Sequence, residues 1–490
     1  MSKIEQAMQN KHLAEHRQCL DGIQPMTAAE RAAAPNIVMI LMDDLGWGDL
    51  SCFGSQAIRT PHLDRLARDG IVMENCYASS PVCTPSRFGL LTGRYPCRGL
   101  IEHVFFPTIE PDRDQITPQG YENEADERDG QVTDAFVQRV HEMNRRRRTE
   151  MPVSGILEDE LTIAELLRAR GYRTGMFGKW HLGDRSPHLP NDKGFETFFG
   201  AHYSNDMYPY HFWRNREIAV KAPLDQRRIT EYLNTELFAF IRGQAAEPFF
   251  AYYASPWPHH PLSSGESFAG TSRGGVYGDC IQEFDHGIGQ LLDVLKEKDL
   301  LEKTLIVFTS DNGPWHQGSP GGHRGRKGNF FDGGQVVPTI CFWQGTLSGR
   351  RIREMAMNID FLPTFCELTG AKLPQDREID GRSLLPLLLD QTDQSPHDVL
   401  FYVNSLVPVH ARQGYAARSR DHFKYVQAAG SENAAYRGMR IHPFLFDLTC
   451  DRDESYDVRR LHPQKAEELR LRLDAFNDAV LANPRGWRPT

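Results

Sequence analysis

Residues Asn36–Met42 read NIVMILM and are followed at once by Asp43 and Asp44. From residue 37 onward this run is apolar at every position, which is typical of a strand buried on both faces of a parallel sheet. The two aspartates would then lie at the carboxyl end of that strand. In open α/β sheets, ligands bind at this edge.

The same pattern of an apolar strand followed by polar residues recurs along the chain. Residues 249–254 and 305–309 are further apolar runs, and amphipathic segments of helical period lie between them. This alternation predicts an α/β fold with a large, mostly parallel central sheet flanked by helices. Near the C-terminus, short strand-like runs and a closing amphipathic helix predict a smaller α+β subdomain with an antiparallel sheet.

These patterns divide the chain into three parts. Residues 1–34 are a polar N-terminal extension, residues 35–380 form the main α/β domain and residues 381–490 form the C-terminal α+β subdomain. Within the main domain, residues 101–154 are polar and interrupt the alternation. We expect this stretch to be an insertion that shapes the mouth of a binding pocket.

The composition of the chain bears on its expected binding partners and on its expected cellular compartment. The 490 residues carry a formal net charge of −9, which argues against broad nucleic-acid binding. No run of about eighteen uninterrupted apolar residues is present, so no membrane span is expected. Residues 1–34 lack the apolar core of a signal peptide. The nine cysteines are odd in number and dispersed, as in reduced proteins, so we expect a cytoplasmic location.

Two strand ends carry oxygen ligands. Asp43 and Asp44 follow the first strand, and Asp311 and Asn312 follow the strand that ends near residue 309. Carboxylate and amide oxygens suit Ca²⁺ or Mg²⁺ and do not suit zinc, which prefers histidine or cysteine. Either pair alone is also common in turns.

Positive charges and histidines accompany these carboxylates. Arg87, Lys179 and Lys327 add positive charge, and His181 and His259 can transfer protons near neutral pH. So many cationic side chains beside a divalent metal ion would repel one another and the ion unless a multiply charged oxyanion lay among them. The residue types therefore indicate a sulfate or phosphate ester as substrate.

The stretch CTPSR at residues 83–87 continues as LTGR at residues 91–94. Taken alone, Cys83 is either a buried structural cysteine or a reactive thiol at a helix N-terminus. Signature and extension together resemble the type I, formylglycine-dependent sulfatases of the alkaline phosphatase superfamily, and the resemblance runs from about residue 35 to the C-terminus. It implies that a formylglycine-generating or sulfatase-maturating enzyme oxidises Cys83 to Cα-formylglycine.

The resemblance also implies roles for the other residues. The metal, expected to be Ca²⁺ with Mg²⁺ or Mn²⁺ as alternatives, would be bound by the two strand-end pairs and residue 83. Carried over by matching position, the metal ligands are Asp43, Asp44, Cys83, Asp311 and Asn312. The catalytic residues are Cys83, Arg87, Lys179, His181, His259 and Lys327. His260 is adjacent to His259 and is the alternative, and Asp332 stands where the family more often has glutamate.

In the mechanism that the resemblance implies, a hydroxyl of the hydrated aldehyde at residue 83 attacks sulfur, with Arg87 assisting. Lys179 and Lys327 offset charge on the sulfuryl oxygens, His259 protonates the leaving alcohol and His181 removes the remaining hydroxyl proton to release sulfate.

Two further stretches bear on the substrate. Residues 201–207 and 270–279 resemble segments of arylsulfatase-A-like, carbohydrate and galactosamine-6-sulfatases, so a carbohydrate or aryl sulfate is expected. A phosphate or phosphonate monoester hydrolase on the same scaffold is the alternative enzyme. A catalytically silent, metal-stabilised binding protein is the alternative class. The sequence leaves homo-oligomerisation open.

Overall fold

The computed structural model describes residues 3–101, 103–116, 134–149, 153–244, 247–403, 414–427 and 443–488. The strands are β1 Asn36–Met42, β2 Ile71–Tyr77, β3 Arg173–Lys179, β4 Thr197–Ala201, β5 Phe212–Arg214, β6 Glu217–Val220, β7 Phe249–Ala254, β8 Thr304–Ser310, β9 Val336–Phe342, β10 Arg350–Ile352, β11 Ala356–Met357, β12 Val399–Val403, β13 Gly414–Ser419, β14 Phe423–Val426 and β15 Phe444–Asp447.

Helices lie between most of these strands. They are α1 Lys3–Asp21, α2 Ala28–Ala33, α3 Pro61–Asp69, α4 Cys83–Thr92, α5 Asp134–Thr149, α6 Ile163–Arg170, α7 Ile229–Arg242, α8 Gly275–Glu297, α9 Asp332–Gln335, α10 Phe361–Thr369, α11 Leu385–Leu388 and α12 Pro463–Ala482.

The described residues form an 11-stranded sheet in the order β10-β2-β9-β8-β1-β7-β3-β4-β5-β6, with β11 pairing β2. β1 lies between β7 and β8 and is parallel to both. β9 and β5 are antiparallel to their neighbours. The predicted central strand is confirmed, because every residue of β1 is buried.

Both faces of β1 are buried because its residues alternate between two apolar cores. Val38 and Ile40 point to one core, which includes residues of α7 and α8. Ile37 and Met39 point to the other core, which includes residues of α6 and α10. This arrangement explains why the run has no polar alternation. It also fixes the carboxyl end of β1 inside the protein.

A second sheet, β12-β13-β14-β15, is antiparallel, and α12 packs on it. The predicted fold class is therefore confirmed: a mostly parallel sheet with flanking helices and a small antiparallel-sheet unit. The boundary near residue 380 stays a prediction. No helix within the described ranges is long and apolar enough to cross a membrane.

Two regions that looked polar in sequence contain helices. The N-terminal extension forms α1 and α2, and His16 of α1 contacts Glu165 of α6, with 3.0 Å between Nε2 and Oε1. The predicted insertion contains α5. Residues 117–133 and 150–152 of that insertion lie outside the described residues, and its role at a pocket mouth stays a prediction.

Candidate active site

The polar residues that follow the strands meet at one edge of the large sheet. β8, β1, β7 and β3 are neighbours and parallel, so their carboxyl ends lie side by side. Helix α4 and the loop before α9 complete this region. We call the following residues the strand-end cluster: Asp43, Asp44, Cys83, Arg87, Lys179, His181, His259, Asp311, Asn312 and Lys327.

Cys83 is the first residue of α4. Because Cys83 begins the helix, the positive end of the helix dipole lies there. The side chain of the preceding residue, Val82, makes no hydrogen bond to the first amides of the helix. The Sγ donates to Asp43 Oδ1 at 3.4 Å. Burial raises the pKa of Cys83 well above that of an ordinary thiol. The unmodified side chain is therefore a protonated thiol at neutral pH.

Arg87 lies one turn along α4, and its side chain contacts residues at the carboxyl ends of three strands. Its Nε donates to Asp311 Oδ2 at 2.9 Å, and its Nη1 donates to the backbone oxygen of Lys179 at 2.7 Å. Burial opposes the charge, yet Asp311 and Asp43 outweigh it and raise the pKa of Arg87. Asp311 Oδ1 also accepts from the backbone amide of Asp44 at 3.2 Å. Arg87 is thus held as a cation beside the carboxylates.

The two lysines each contact one aspartate of the Asp-Asp pair. Lys179 Nζ donates to Asp43 Oδ2 at 2.5 Å, and Lys327 Nζ donates to Asp44 Oδ2 at 2.8 Å. Burial alone would raise the pKa of Asp43, but Lys179 and the other cations hold it well below its usual value. Both aspartates therefore have a lysine ammonium within hydrogen-bond distance.

His181 follows β3 and has an unused ring nitrogen. Its Nε2 lies 3.1 Å from the backbone oxygen of Phe105 and can only donate there, so Nδ1 carries the lone pair. Nδ1 is buried and has no hydrogen-bond partner among the described residues. Burial, with Lys179 and Arg87, lowers the pKa of His181 well below its usual value. The ring is therefore neutral and able to accept a proton at Nδ1.

His259 follows β7, and its two ring nitrogens have the opposite roles to those of His181. Its Nδ1 lies 2.5 Å from the backbone oxygen of His260 and 3.2 Å from Asn205 Oδ1. Both atoms are acceptors in this orientation, so Nδ1 carries a proton. Nε2 lies 3.8 Å from Asp44 Oδ2. Burial, with Lys327, lowers the pKa of His259. The structure thus places His259 in the strand-end cluster, through its Nε2.

The donor atoms fit a hard divalent cation. Ligand atoms of Asp43, Asp44, Cys83 and His259 all lie within 4.8 Å of one another. Asn312 donates from its amide nitrogen to Asp44 Oδ1 at 2.7 Å, while its Oδ1 is buried without a hydrogen-bond partner. Carboxylate and amide oxygens are the ligands that Ca²⁺ and Mg²⁺ prefer. The neutral Cys83 thiol is the one soft atom in this group.

Two cluster residues have backbone conformations that L-residues rarely adopt. Asp44 has φ 62° and His181 has φ 61°. Non-glycine residues in this region cost about 1–3 kcal/mol and persist where the surrounding contacts fix them, commonly at functional sites. Both residues are buried within the cluster. The contacts of the cluster therefore hold both residues in a conformation that costs free energy.

The structure adds two residues that sequence analysis did not single out. Ser204 Oγ accepts from Lys179 Nζ at 3.0 Å and lies 3.3 Å from His259 Nδ1. Asn205 Nδ2 donates to the backbone oxygen of Pro261 at 3.1 Å, beside its contact with His259. In the sequence, only the resemblance of residues 201–207 to segments of known sulfatases pointed to this loop. Ser204 and Asn205 position the ammonium of Lys179 and the ring of His259.

Comparison with known proteins agrees with this geometry. The sulfatase family model matches residues 35–115 and 132–371, and the model for the C-terminal region of N-sulphoglucosamine sulphohydrolase matches residues 327–439. Human arylsulfatase A is 33% identical over 475 residues, covering 87% of this chain and 84% of that protein. Human N-acetylgalactosamine-6-sulfatase is 33% identical over 387 residues, covering 74% and 67%.

A solved structure extends the similarity to the fold. The PsFucS1 sulfatase from Pseudoalteromonas sp. superposes with a TM-score of 0.73 at 24% identity, covering 96% of this chain and 94% of that one. The family model alone spans more than half of the chain. The chain therefore belongs to the sulfatase family, and it is an arylsulfatase-like enzyme that hydrolyses sulfate esters.

Proposed function

We propose that this sulfatase uses a Cα-formylglycine made from Cys83, together with a bound divalent cation, to hydrolyse carbohydrate or aryl sulfates. The observation that carries the proposal is the position of the Cys83 Sγ, 3.4 Å from Asp43 Oδ1 at the N-terminus of α4. Lysine ammonium groups contact both aspartates beside it. An anionic group attacked at residue 83 would therefore meet positive charge on several sides.

The chemistry of residue 83 explains why a modification is needed. A buried thiol with a raised pKa is a poor nucleophile, and a sulfate ester formed on a plain side chain has no internal route for release. The hydrated aldehyde of formylglycine supplies one hydroxyl to attack sulfur and a second whose deprotonation expels sulfate. An oxygen in place of Sγ also suits the surrounding carboxylates as a ligand for a hard cation.

The chain's own residues then share three tasks. Lys179, Lys327 and Arg87 hold positive charge where the sulfuryl oxygens gain negative charge. His259 presents Nε2 to the cluster, and an anionic substrate would offset the repulsion from Lys327 and let this atom hold a proton for the leaving alcohol. His181 accepts a proton at its free Nδ1.

A cation held by the carboxylates of Asp43, Asp44 and Asp311 and the free Oδ1 of Asn312 would add positive charge beside the nucleophile and the sulfate oxygens. Ca²⁺ is our first choice and Mg²⁺ the second, because the donor atoms of these four residues are all oxygens. Arg87 orients this set through its contact with Asp311.

The substrate assignment rests on the relatives. The two human relatives are named as an arylsulfatase and an N-acetylgalactosamine-6-sulfatase. We infer from these names that the leaving alcohol is an aryl or a sugar hydroxyl.

The modification is tested by mass spectrometry and turnover together. The peptide that contains residue 83 should weigh about 18 Da less than its cysteine form. Cys83→Ala should reduce turnover of an aryl sulfate by at least about 10⁴-fold. Cys97→Ala, which removes a buried thiol outside the cluster, is the matched control and should retain activity. An unmodified peptide in a fully active enzyme would contradict the proposal.

The same assay addresses the cation and the alternative substrate. Dialysis against a chelator should abolish turnover, and Ca²⁺ or Mg²⁺ should restore it. Matched aryl sulfate and aryl phosphate monoesters should be compared in parallel. A faster reaction with the phosphate would favour the phosphomonoester hydrolase alternative and overturn the sulfate assignment.

A further inference from the structure

A cavity of about 530 Å³ lies between the two sheets, and none of its lining residues belongs to the strand-end cluster. The loop after β1 and strand β2 form one side, and residues of β13 and of the segment after β15 form the other. Its charged and aromatic lining includes Trp47, Glu74, His323, Arg353, Arg418 and Arg452. Cavities of this volume are in the range that binds small molecules.

Arg418 is the first reason to expect an anion here. Its side chain is only 3% exposed, yet its hydrogen bonds are long, at 3.3 Å from Nη1 to Asp332 Oδ2 and 3.5 Å between Nη2 and His422 Nδ1. Its Nε has no hydrogen-bond partner among the described residues. Burial lowers the pKa of Arg418 to about 10, so it remains cationic at neutral pH. A buried guanidinium this poorly paired is costly without a further acceptor.

Arg452 is the second reason. Its guanidinium lies 4.0 Å from the ring centroid of Trp47, and its Nε donates to His323 Nε2 at 3.0 Å. An arginine can only donate, so the proton of the neutral His323 ring is on Nδ1, which is buried without a hydrogen-bond partner. Among the described residues, no carboxylate forms an ion pair with Arg452 within 4.0 Å.

The carboxylates that line the cavity balance these two cations only in part. Asp332, which Arg418 contacts, also accepts from Lys424 Nζ at 2.7 Å and from the hydroxyls of two tyrosines. Glu74 accepts from Arg351 at 2.6 Å and from Arg353 at 3.1 Å. Arg418 therefore shares its carboxylate with three other donors, and Arg452 has none of its own among the described residues.

We propose that this cavity is a second, non-catalytic binding site for a small organic oxyanion of about monosaccharide size, with Arg418 and Arg452 as its anchors. The charged group of the ligand would accept hydrogen bonds from the two guanidinium groups, as carboxylate, phosphate and sulfate groups do. The rest of the ligand would occupy the remaining volume.

Glucose 6-phosphate, glucuronate, inorganic phosphate and neutral glucose are the probes, each titrated by calorimetry into the full-length enzyme and into Arg452→Ala. Binding at the strand-end cluster is common to both proteins and cancels in the comparison. Arg452→Ala should weaken binding of the sugar oxyanions by about tenfold or more, because a charge-assisted hydrogen bond is lost. Turnover should stay unchanged.

Arg353→Ala is the matched control, since Arg353 lines the same cavity but is paired with Glu74. It should change affinity by no more than about twofold. Arg418→Lys, which keeps the charge and loses the guanidinium geometry, should also weaken binding. The relative affinities of phosphate and carboxylate probes identify the preferred oxyanion. Equal binding by the wild type and Arg452→Ala, or equal binding of glucose and the charged probes, would overturn the proposal.

Discussion

Two buried clusters of charge in this protein look alike in composition and differ in which of their atoms lack a hydrogen-bond partner. In the strand-end cluster, Arg87, Lys179 and Lys327 donate hydrogen bonds to aspartate carboxylates. The other, which we call the Asp332 cluster, consists of Asp332, Arg418, Lys424 and Glu454 with the hydroxyls of Tyr77 and Tyr402.

The carboxylate of Asp332 is fully paired. Its Oδ1 accepts from Tyr402 at 2.8 Å and Lys424 at 2.7 Å, and its Oδ2 accepts from Tyr77 at 3.1 Å and Arg418 at 3.3 Å. The buried atoms of the Asp332 cluster that lack a hydrogen-bond partner are Arg418 Nε and Glu454 Oε1, and Glu454 Oε1 still lies 2.7 Å from Lys424 Nζ. Those of the strand-end cluster include His181 Nδ1 and Asn312 Oδ1. Buried charge alone therefore does not indicate a reactive site, whereas an unpaired neutral acceptor such as His181 Nδ1, which can take a proton, does.

This comparison predicts that Lys424→Met acts mainly on stability. Lys424 Nζ lies 2.7 Å from both Asp332 Oδ1 and Glu454 Oε1, and the residue is fully buried. Its loss leaves Glu454 without its cation and Asp332 with Arg418 alone, and should reduce the free energy of unfolding by about 3–5 kcal/mol. Urea denaturation measures the change. Lys465→Met, which breaks a partly exposed pair with Asp421, should cost no more than about 1 kcal/mol.

Lys327→Met should act on turnover instead. Its ammonium contacts Asp44 at the mouth of the strand-end cluster and would stabilise negative charge that develops on the sulfate. We expect kcat to fall by about 10²–10³-fold, with a smaller change in the urea midpoint than Lys424→Met causes. Lys303→Met, at an exposed position, should leave both quantities unchanged. A loss of stability equal to that of Lys424→Met would remove the distinction between the clusters.

Much of the strand-end cluster was predictable because its signals are local. The apolar run followed by Asp43 and Asp44 predicts both a strand and the residue at which that strand ends. Parallel strands then bring their carboxyl ends to one edge of the sheet. The structure confirms this convergence, since Lys179 and Lys327 contact Asp43 and Asp44 at the end of β1 and Arg87 contacts Asp311 at the end of β8.

The Asp332 cluster was not predictable because no local sequence pattern marks the residues that contact Asp332. Asp332 drew attention only as a departure from the family's usual glutamate. Its contact with Lys424 spans 92 residues, and that with Glu454 spans 122. Ser204 was missed for a related reason: a small polar residue in a loop has no periodicity, and only the fold brings it to Lys179.

Polar helix α1 shows a third limit of sequence patterns. It has no long apolar stripe to indicate burial, and its contacts come from the rest of the protein. His16 pairs with Glu165, and the ring of His12 stacks on Trp487 with 3.8 Å between centroids. Tertiary contacts of this kind stabilise a helix whose own sequence signal is weak.

The smallest expected effect concerns how the Asp332 cluster responds to pH. Burial and the neighbouring charge of Asp332 raise the pKa of Glu454 from 4.5 to about 7, although Lys424 opposes the shift. The folded state therefore binds this proton more tightly than the unfolded state does. The resulting stabilisation is fully present below about pH 4.5 and is lost as pH rises to about 7.

Glu454→Gln tests this assignment, because glutamine cannot ionise. Glu454 Oε2 accepts from the backbone amide of Asp332 at 2.6 Å, and the side-chain oxygen of glutamine can accept the same hydrogen bond. Urea midpoints measured from pH 5 to pH 8 should fall less in the variant than in the wild type, by about 1–3 kcal/mol in unfolding free energy across the range. Glu468→Gln, at a partly exposed position, should follow the wild-type profile. Parallel profiles for the wild type and Glu454→Gln would show that the carboxylate stays ionised in the folded state, held by Lys424 as firmly as Asp43 is held by Lys179. The two clusters would then differ in their unpaired atoms alone.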